Sequence, residues 1–147
     1  MAIIVPQAGE RELLRRIFET GDKTVGIIKV GLFKTAPTQG ESLDYATIVS
    51  AALEVTNDDG DTYTRQIPAS WAVSSSSDGV ATGDEVTFTL AGKTALYNVY
   101  GYFVIIEKTG DIPNSKLLWY ETFPVAFAIQ TNPTGGTIKL ILKMELD

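Results

Sequence analysis

The sequence predicts a mainly β fold: an antiparallel β-sandwich or barrel of about seven to eight strands with one N-terminal amphipathic helix. Three observations predict it. Turn signals rich in Gly, Pro, Asn and Asp recur at intervals of about ten residues. The runs between them alternate apolar and polar with a period of two. One stretch, residues 9–20, carries the period of a helix instead. The 147 residues fit a single β-rich domain, with an apolar arm over 1–8 and a helix over 9–20. A chain of this size buries roughly 68–70% of its unfolded surface and needs no covalent staple.

The elements follow in order. Ala2 to Val5 are apolar and end at Pro6. Leu13, Leu14, Ile17 and Phe18 make one stripe on the 9–20 helix. Glu12 with Arg16, and Arg15 with Glu19, are i,i+4 pairs beside it, and Gly21 is the stop signal. Residues 25–34 are β-rich, and 35–44 are a loop by composition. Residues 47–55 suit either type; the alternation of Val49, Ala51, Leu53 and Val55 favours a strand. Asn57-Asp58-Asp59-Gly60-Asp61 is a hairpin turn signal. Pro68 marks a break or an edge position in 62–74, and 74–83 reads as a loop. In 85–91, Val86, Phe88 and Leu90 face inward. A long strand over 96–108 turns at 111–115 and pairs with 116–123, where Pro124 interrupts it. After a turn at 131–136, a final strand over 137–146 puts Ile138, Leu140, Leu142, Met144 and Leu146 on one face.

Two of these strands lack a polar face. In 97–106, period two sets Tyr97, Val99, Phe103 and Ile105 against Tyr100, Tyr102, Val104 and Ile106. In 117–123 it sets Leu117, Trp119 and Phe123 against Leu118 and Tyr120. A strand apolar on both faces must be covered on both. The cover is either the 9–20 helix or a partner, and aromatic residues with polar tips suit a partner surface.

Much chemistry is excluded. The chain has no His and no Cys, so it has no Ser-His-Asp triad, no thiolate and no imidazole base or ligand. Gly92-Lys93-Thr94 resembles the end of a phosphate loop, but Thr87 stands where that loop needs its first Gly. The acidic turn at 57–61 lacks the spacing and distant Glu of a calcium loop; Asp and Asn beside Gly serve the turn itself. The net charge is −6, which repels phosphate backbones, so no nucleic-acid partner is expected. No apolar run reaches the roughly 20 residues of a membrane helix, and the start has no basic n-region, so we expect synthesis in a host cytoplasm and no membrane. We expect no enzyme, no cofactor and no metal.

Four stretches suggest a family. They are MAIIVPQAGERELLRRIF, IIKVGLFKTAPTQGES, ASWAVS, and VYGYFVI followed by KLLWYETF. Together they resemble the small virion structural proteins of tailed bacteriophages, most like a capsid decoration (cement) protein. The 111–116 turn, the acidic hairpin and the C-terminal strand do not match that pattern. The resemblance implies a non-enzymatic protein on the capsid surface of a virion, binding and stabilising the outer shell. Its partners would be the major capsid protein of the phage head and other copies of itself, most often as a trimer. Under it, Tyr97, Tyr100, Tyr102, Phe103, Leu118, Trp119 and Tyr120 are the expected subunit contact. Ile3, Ile4 and Val5, with the 35–46 loop, are the expected shell contact. Two other readings compete. One is a tail, baseplate or fibre-associated phage protein, although the chain has neither repeats nor heptads. The other is a carbohydrate-binding β-sandwich stacking sugars on Trp71, Trp119, Tyr63, Tyr100 and Tyr102.

Overall fold

A computed structural model describes residues 6, 26–73, 80–108 and 114–145. The expected 9–20 helix, the arm residues Ile3, Ile4 and Val5, and the 111–113 part of the expected turn lie outside the described residues. Pro6 is buried.

The described chain is mainly β. Its strands are β1 (Ile27–Phe33), β2 (Trp71–Val73), β3 (Val80–Gly83), β4 (Val86–Leu90), β5 (Tyr97–Glu107), β6 (Lys116–Ile129), β7 (Gly136–Leu140) and β8 (Lys143–Glu145). One short helix, α1 (Tyr45–Ser50), lies between β1 and β2. The strands form three antiparallel sheets, ordered β1-β5-β6, β2-β3-β8 and β4-β7. They do not close into a barrel, which corrects that half of the sequence expectation.

Several strands follow their pattern directly. In β4, Val86, Phe88 and Leu90 are buried and the threonines between them are exposed. The final strand keeps its parity but changes partner. β7 pairs with β4, the chain steps through Ile141 and Leu142, and β8 pairs with β3. Ile138 and Leu142 stay buried across the switch while Ile141 is exposed.

The 47–55 strand is corrected. Asp44 caps a helix, its carboxylate accepting from Thr47 N–H at 2.7 Å. Tyr45 and Ile48, three residues apart, are buried on one side, while Val49 is exposed. A helix of six residues, under two turns, is too short to show its period against a weak alternation. Only Leu53 to Val55 are extended, bonding to the free edge of β1 through Lys34 N–H to Leu53 C=O and Val55 N–H to Leu32 C=O.

The acidic turn also differs from the expected hairpin. Asp61 N–H closes it on Asp58 C=O. Its two flanks bridge to β1, at Phe33–Glu54 and Val30–Gln66.

Two irregularities re-sort the central strands. Opposite Tyr100, β6 carries four residues, because Val99 pairs with Phe127 and Gly101 with Thr122. This bulge shifts the phase of β5. Val99 therefore shares a core with Tyr102, Val104 and Ile106, while Tyr100 packs with Phe103 and Ile105. A second shift leaves Leu118 as an extra residue, so Leu118 and Trp119 point to the same core and Leu117 and Tyr120 to the other. A bulge inserts an unpaired residue and turns the faces over, which a strict period of two does not anticipate. Pro124 sits inside the first bulge, so β6 runs on through it to Ile129.

Both faces of the β1-β5-β6 sheet are covered by the chain itself. The larger core gathers side chains from all three sheets. The smaller one joins Phe33, Phe103, Ile105, Leu117 and Tyr120 to Leu43, Tyr45 and Ile48 of the 43–48 segment. Gly31 lies opposite Phe103, and a Cβ there would sit 2.2 Å from the ring, so glycine lets the ring lie across β1.

Candidate functional site

A network of charges ties the 53–66 segment to the sheet. Arg65 grips Glu54 with two nitrogens, Nε at 2.7 Å and Nη2 at 2.6 Å. Its Nη1 donates to Glu107 at 2.5 Å, and Lys29 Nζ donates to the other Glu107 oxygen at 2.9 Å. Tyr63 O–H donates to Glu54 at 2.6 Å and accepts from Leu32 N–H at 3.1 Å. The Arg65 guanidinium also lies 5.2 Å from the Tyr45 ring centre and 5.9 Å from that of Phe103. Arg65 thus links the loop, the helix and β5, and through Glu107 and Lys29 the network reaches β1. The side chains of Arg65, Glu54, Glu107 and Lys29 keep only 16–25% of their exposure. A two-nitrogen fork in such a shielded setting is stronger than an exposed ion pair.

The titration of these groups follows the geometry. Burial pulls the Arg65 pKa down, and the hydrogen bonds and charge of Glu54 more than reverse it, leaving it raised. Partial burial pushes the Glu107 carboxyl up, but hydrogen bonds from Lys29 and Arg65 outweigh that and hold it below its ordinary 4.5. Burial and the neighbouring Glu54 raise the Tyr63 hydroxyl well above its usual range. A carboxyl with a depressed folded pKa binds fewer protons folded than unfolded near its ordinary value. Its stabilisation is therefore complete above that ordinary value and is lost as pH falls from it through the lower folded value. We expect the urea midpoint to hold above the ordinary glutamate value of 4.5 and to fall below it. Glu107→Gln should flatten that fall; an unchanged slope between pH 5 and pH 3 (roughly the window set by such a depressed carboxyl) would contradict the assignment.

The acidic turn is engaged by the protein. Asp58 accepts from Lys93 Nζ and from Thr56 Oγ1, which hold its carboxyl down at about 2. Asp61 accepts from the Tyr97 hydroxyl and from Thr62 N–H. Burial first and Asp61 second raise the Tyr97 pKa. Lys93 also lies 5.4 Å from the Tyr97 ring centre. Lys93 thus anchors the turn to the start of β5. Among the described residues no three His, Cys, Asp or Glu side chains come together as metal ligands. Among them, too, no helix is long and apolar enough to cross a membrane.

The expected contact residues scatter. Phe103 and Tyr120 are buried in the smaller core, and Tyr102, Leu118 and Trp119 in the larger. The two bulges and the 43–48 segment place these side chains inside the described chain. Tyr97 and Tyr100 are half-buried at the margins. The Tyr102 hydroxyl donates to Glu121 at 2.7 Å. Trp119 meets Trp71 edge-on with centres 6.0 Å apart, and its Nε1 has no hydrogen-bond partner among the described residues. Of the sugar-stacking candidates, Tyr63 stacks on Phe88 at 6.1 Å and is buried with Trp119 and Tyr102. The 35–43 loop is clasped to β6. Tyr120 O–H accepts from Gly40 N–H at 2.9 Å and donates to Gly40 C=O at 3.2 Å, and Gln39 donates to Thr122 at 3.0 Å.

Two surface features were not anticipated. One is the outer half of β6, where Val125 is 82% and Phe127 43% exposed, beside exposed Pro124 and Ala128. The signal was legible: no charged residue stands between Glu121 and Lys139. The other is a groove of about 460 Å³ between the 35–43 loop and α1. It is lined by the polar Thr35, Thr38, Gln39, Ser42 and Thr47 and by the apolar Leu43, Ala51 and Leu53, among others. Comparison with family models, with curated proteins and with solved structures finds no match for the chain.

Proposed function

We propose that this chain is a non-enzymatic structural protein of a virion, a capsid decoration protein that binds the outer shell and stabilises it. In this reading the three sheets form a sandwich-like frame whose own charges and aromatic rings are spent on rigidity. Contact with other proteins falls to what the frame leaves outside. The single observation that supports the reading is the exposed, charge-free outer half of β6, with Val125 at 82% exposure. A patch of that kind marks a protein contact more often than a catalytic centre. The family resemblance names the particle, and the apolar arm residues Ile3, Ile4 and Val5 supply the shell contact. Each contact can be weak, because an oligomer on a repeating lattice gains avidity. Binding to assembled shell and not to free subunits stabilises the shell by mass action.

Immunogold labelling of intact particles of the virus that encodes the chain tests this. Gold over the heads is the expected result. Gold confined to tails, or particles left unlabelled, would overturn the capsid assignment.

A further inference from the structure

We infer that the outer half of β6 is a self-association surface, on which the apolar bulge of one copy seats in the groove beside α1 of another. Three observations carry this. First, the bulge protrudes. Four residues, 123–126, stand opposite Tyr100 alone, so Pro124 to Ala126 are not in step with β5, and Val125 at the middle is 82% exposed. A bulge protects a sheet edge from indiscriminate strand pairing, so the segment offers side chains more than backbone. Second, a receptor of matching character lies next to it. The groove of about 460 Å³ is lined by apolar side chains and by hydroxyl and amide groups, and its lining carries no charge. The Gln39–Thr122 hydrogen bond ties the groove's lining to β6 three residues before Val125. One continuous patch therefore holds both a protrusion and a depression, as a contact between identical copies requires. Third, charge selects the occupant. At a net −6 two copies repel over most of their surface, and the stretch between Glu121 and Lys139 lacks that repulsion. A second copy carries the same neutral patch and fits it.

This rests on the reading of the chain as an assembly protein, and its test needs no capsid, so its failure is separate from failure of the virion assignment. Light scattering behind a sizing column, at about 100 µM protein (well above a micromolar Kd), reads the mass. We expect a closed oligomer at a multiple of 15.9 kDa. Val125→Asp should weaken association at least about tenfold, and Ala51→Arg in the groove should do the same, at roughly 1.4 kcal/mol per tenfold. The double variant brings the new charges together and should regain association. Both sites are exposed, so thermal melts of the variants should match the parent at a dilution where the parent is dissociated. A monomeric parent overturns the inference, and so does an oligomer indifferent to Val125→Asp. An oligomer broken at Val125 but indifferent to Ala51→Arg overturns the groove as receptor.

Discussion

Arg65→Ala should lower stability by about 2–3 kcal/mol and the melting temperature by about 8 °C. The substitution strips the fork from Glu54 and one of two cations from Glu107. It leaves two largely shielded carboxylates facing each other across the gap. Breaking a fully buried pair costs roughly 3–5 kcal/mol, and the residual exposure of 16–25% brings the figure down. The loss extends beyond charge, since the guanidinium also roofs the Tyr45 and Phe103 rings. Arg65→Lys keeps the charge but not the planar fork, and about half the loss should remain. Urea titrations of the two variants check this. A loss below about 0.5 kcal/mol for Arg65→Ala would mean that the network behaves as ordinary surface pairs.

Phe103→Ala should cost more, about 3–5 kcal/mol. The ring is fully buried, lies across Gly31, and meets Phe33 with centres 5.0 Å apart. Its truncation opens a cavity in the smaller core, bounded by sheet on one side and by the 43–48 segment on the other. The two walls are fixed by the Asp44 cap, the Arg65 network and the Tyr120 clasp, so the cavity collapses little. Phe103→Leu, which keeps more of the volume, should lose less than half as much. The urea midpoint should fall with the slope unchanged. If the second face of β5 were open to water, the ring would be partly hydrated and the alanine variant would lose only about 1 kcal/mol.

The parts of this fold that can be read from sequence are those where one rule acts alone. β4 alternates, and its burial follows. The paradox of β5 and β6, apolar on both sides, correctly implied two covered faces. What escaped was the identity of the cover. Asp44, Tyr45 and Ile48 belong to a short capped helix hidden by the alternation of Val49, Ala51, Leu53 and Val55 that overlaps it, and nothing local shows that it packs on Phe103. The bulges at Tyr100 and Leu118 escaped because each is a property of two strands at once. The Arg65 network escaped for a related reason. Its members lie 11, 42 and 78 residues apart in sequence, so no window contains the constellation. The neutral run through Val125 was visible as a gap in charge, and its exposure needed the register with Tyr100.

The closed second face of β5 is the premise on which the proposed contact surface is placed on the outer half of β6, and the chain's lack of cysteine allows a direct measurement. Ile105→Cys places a thiol in the smaller core, and Ile141→Cys places one at a position 66% exposed. Under native conditions a thiol reagent should modify Cys at 141 at close to the unfolded rate. Cys at 105 should react at least about a thousandfold more slowly, through opening of the fold. Equal rates at the two positions would show the second face open to solvent, and would return Phe103 and Tyr120 to the list of residues that a partner can touch.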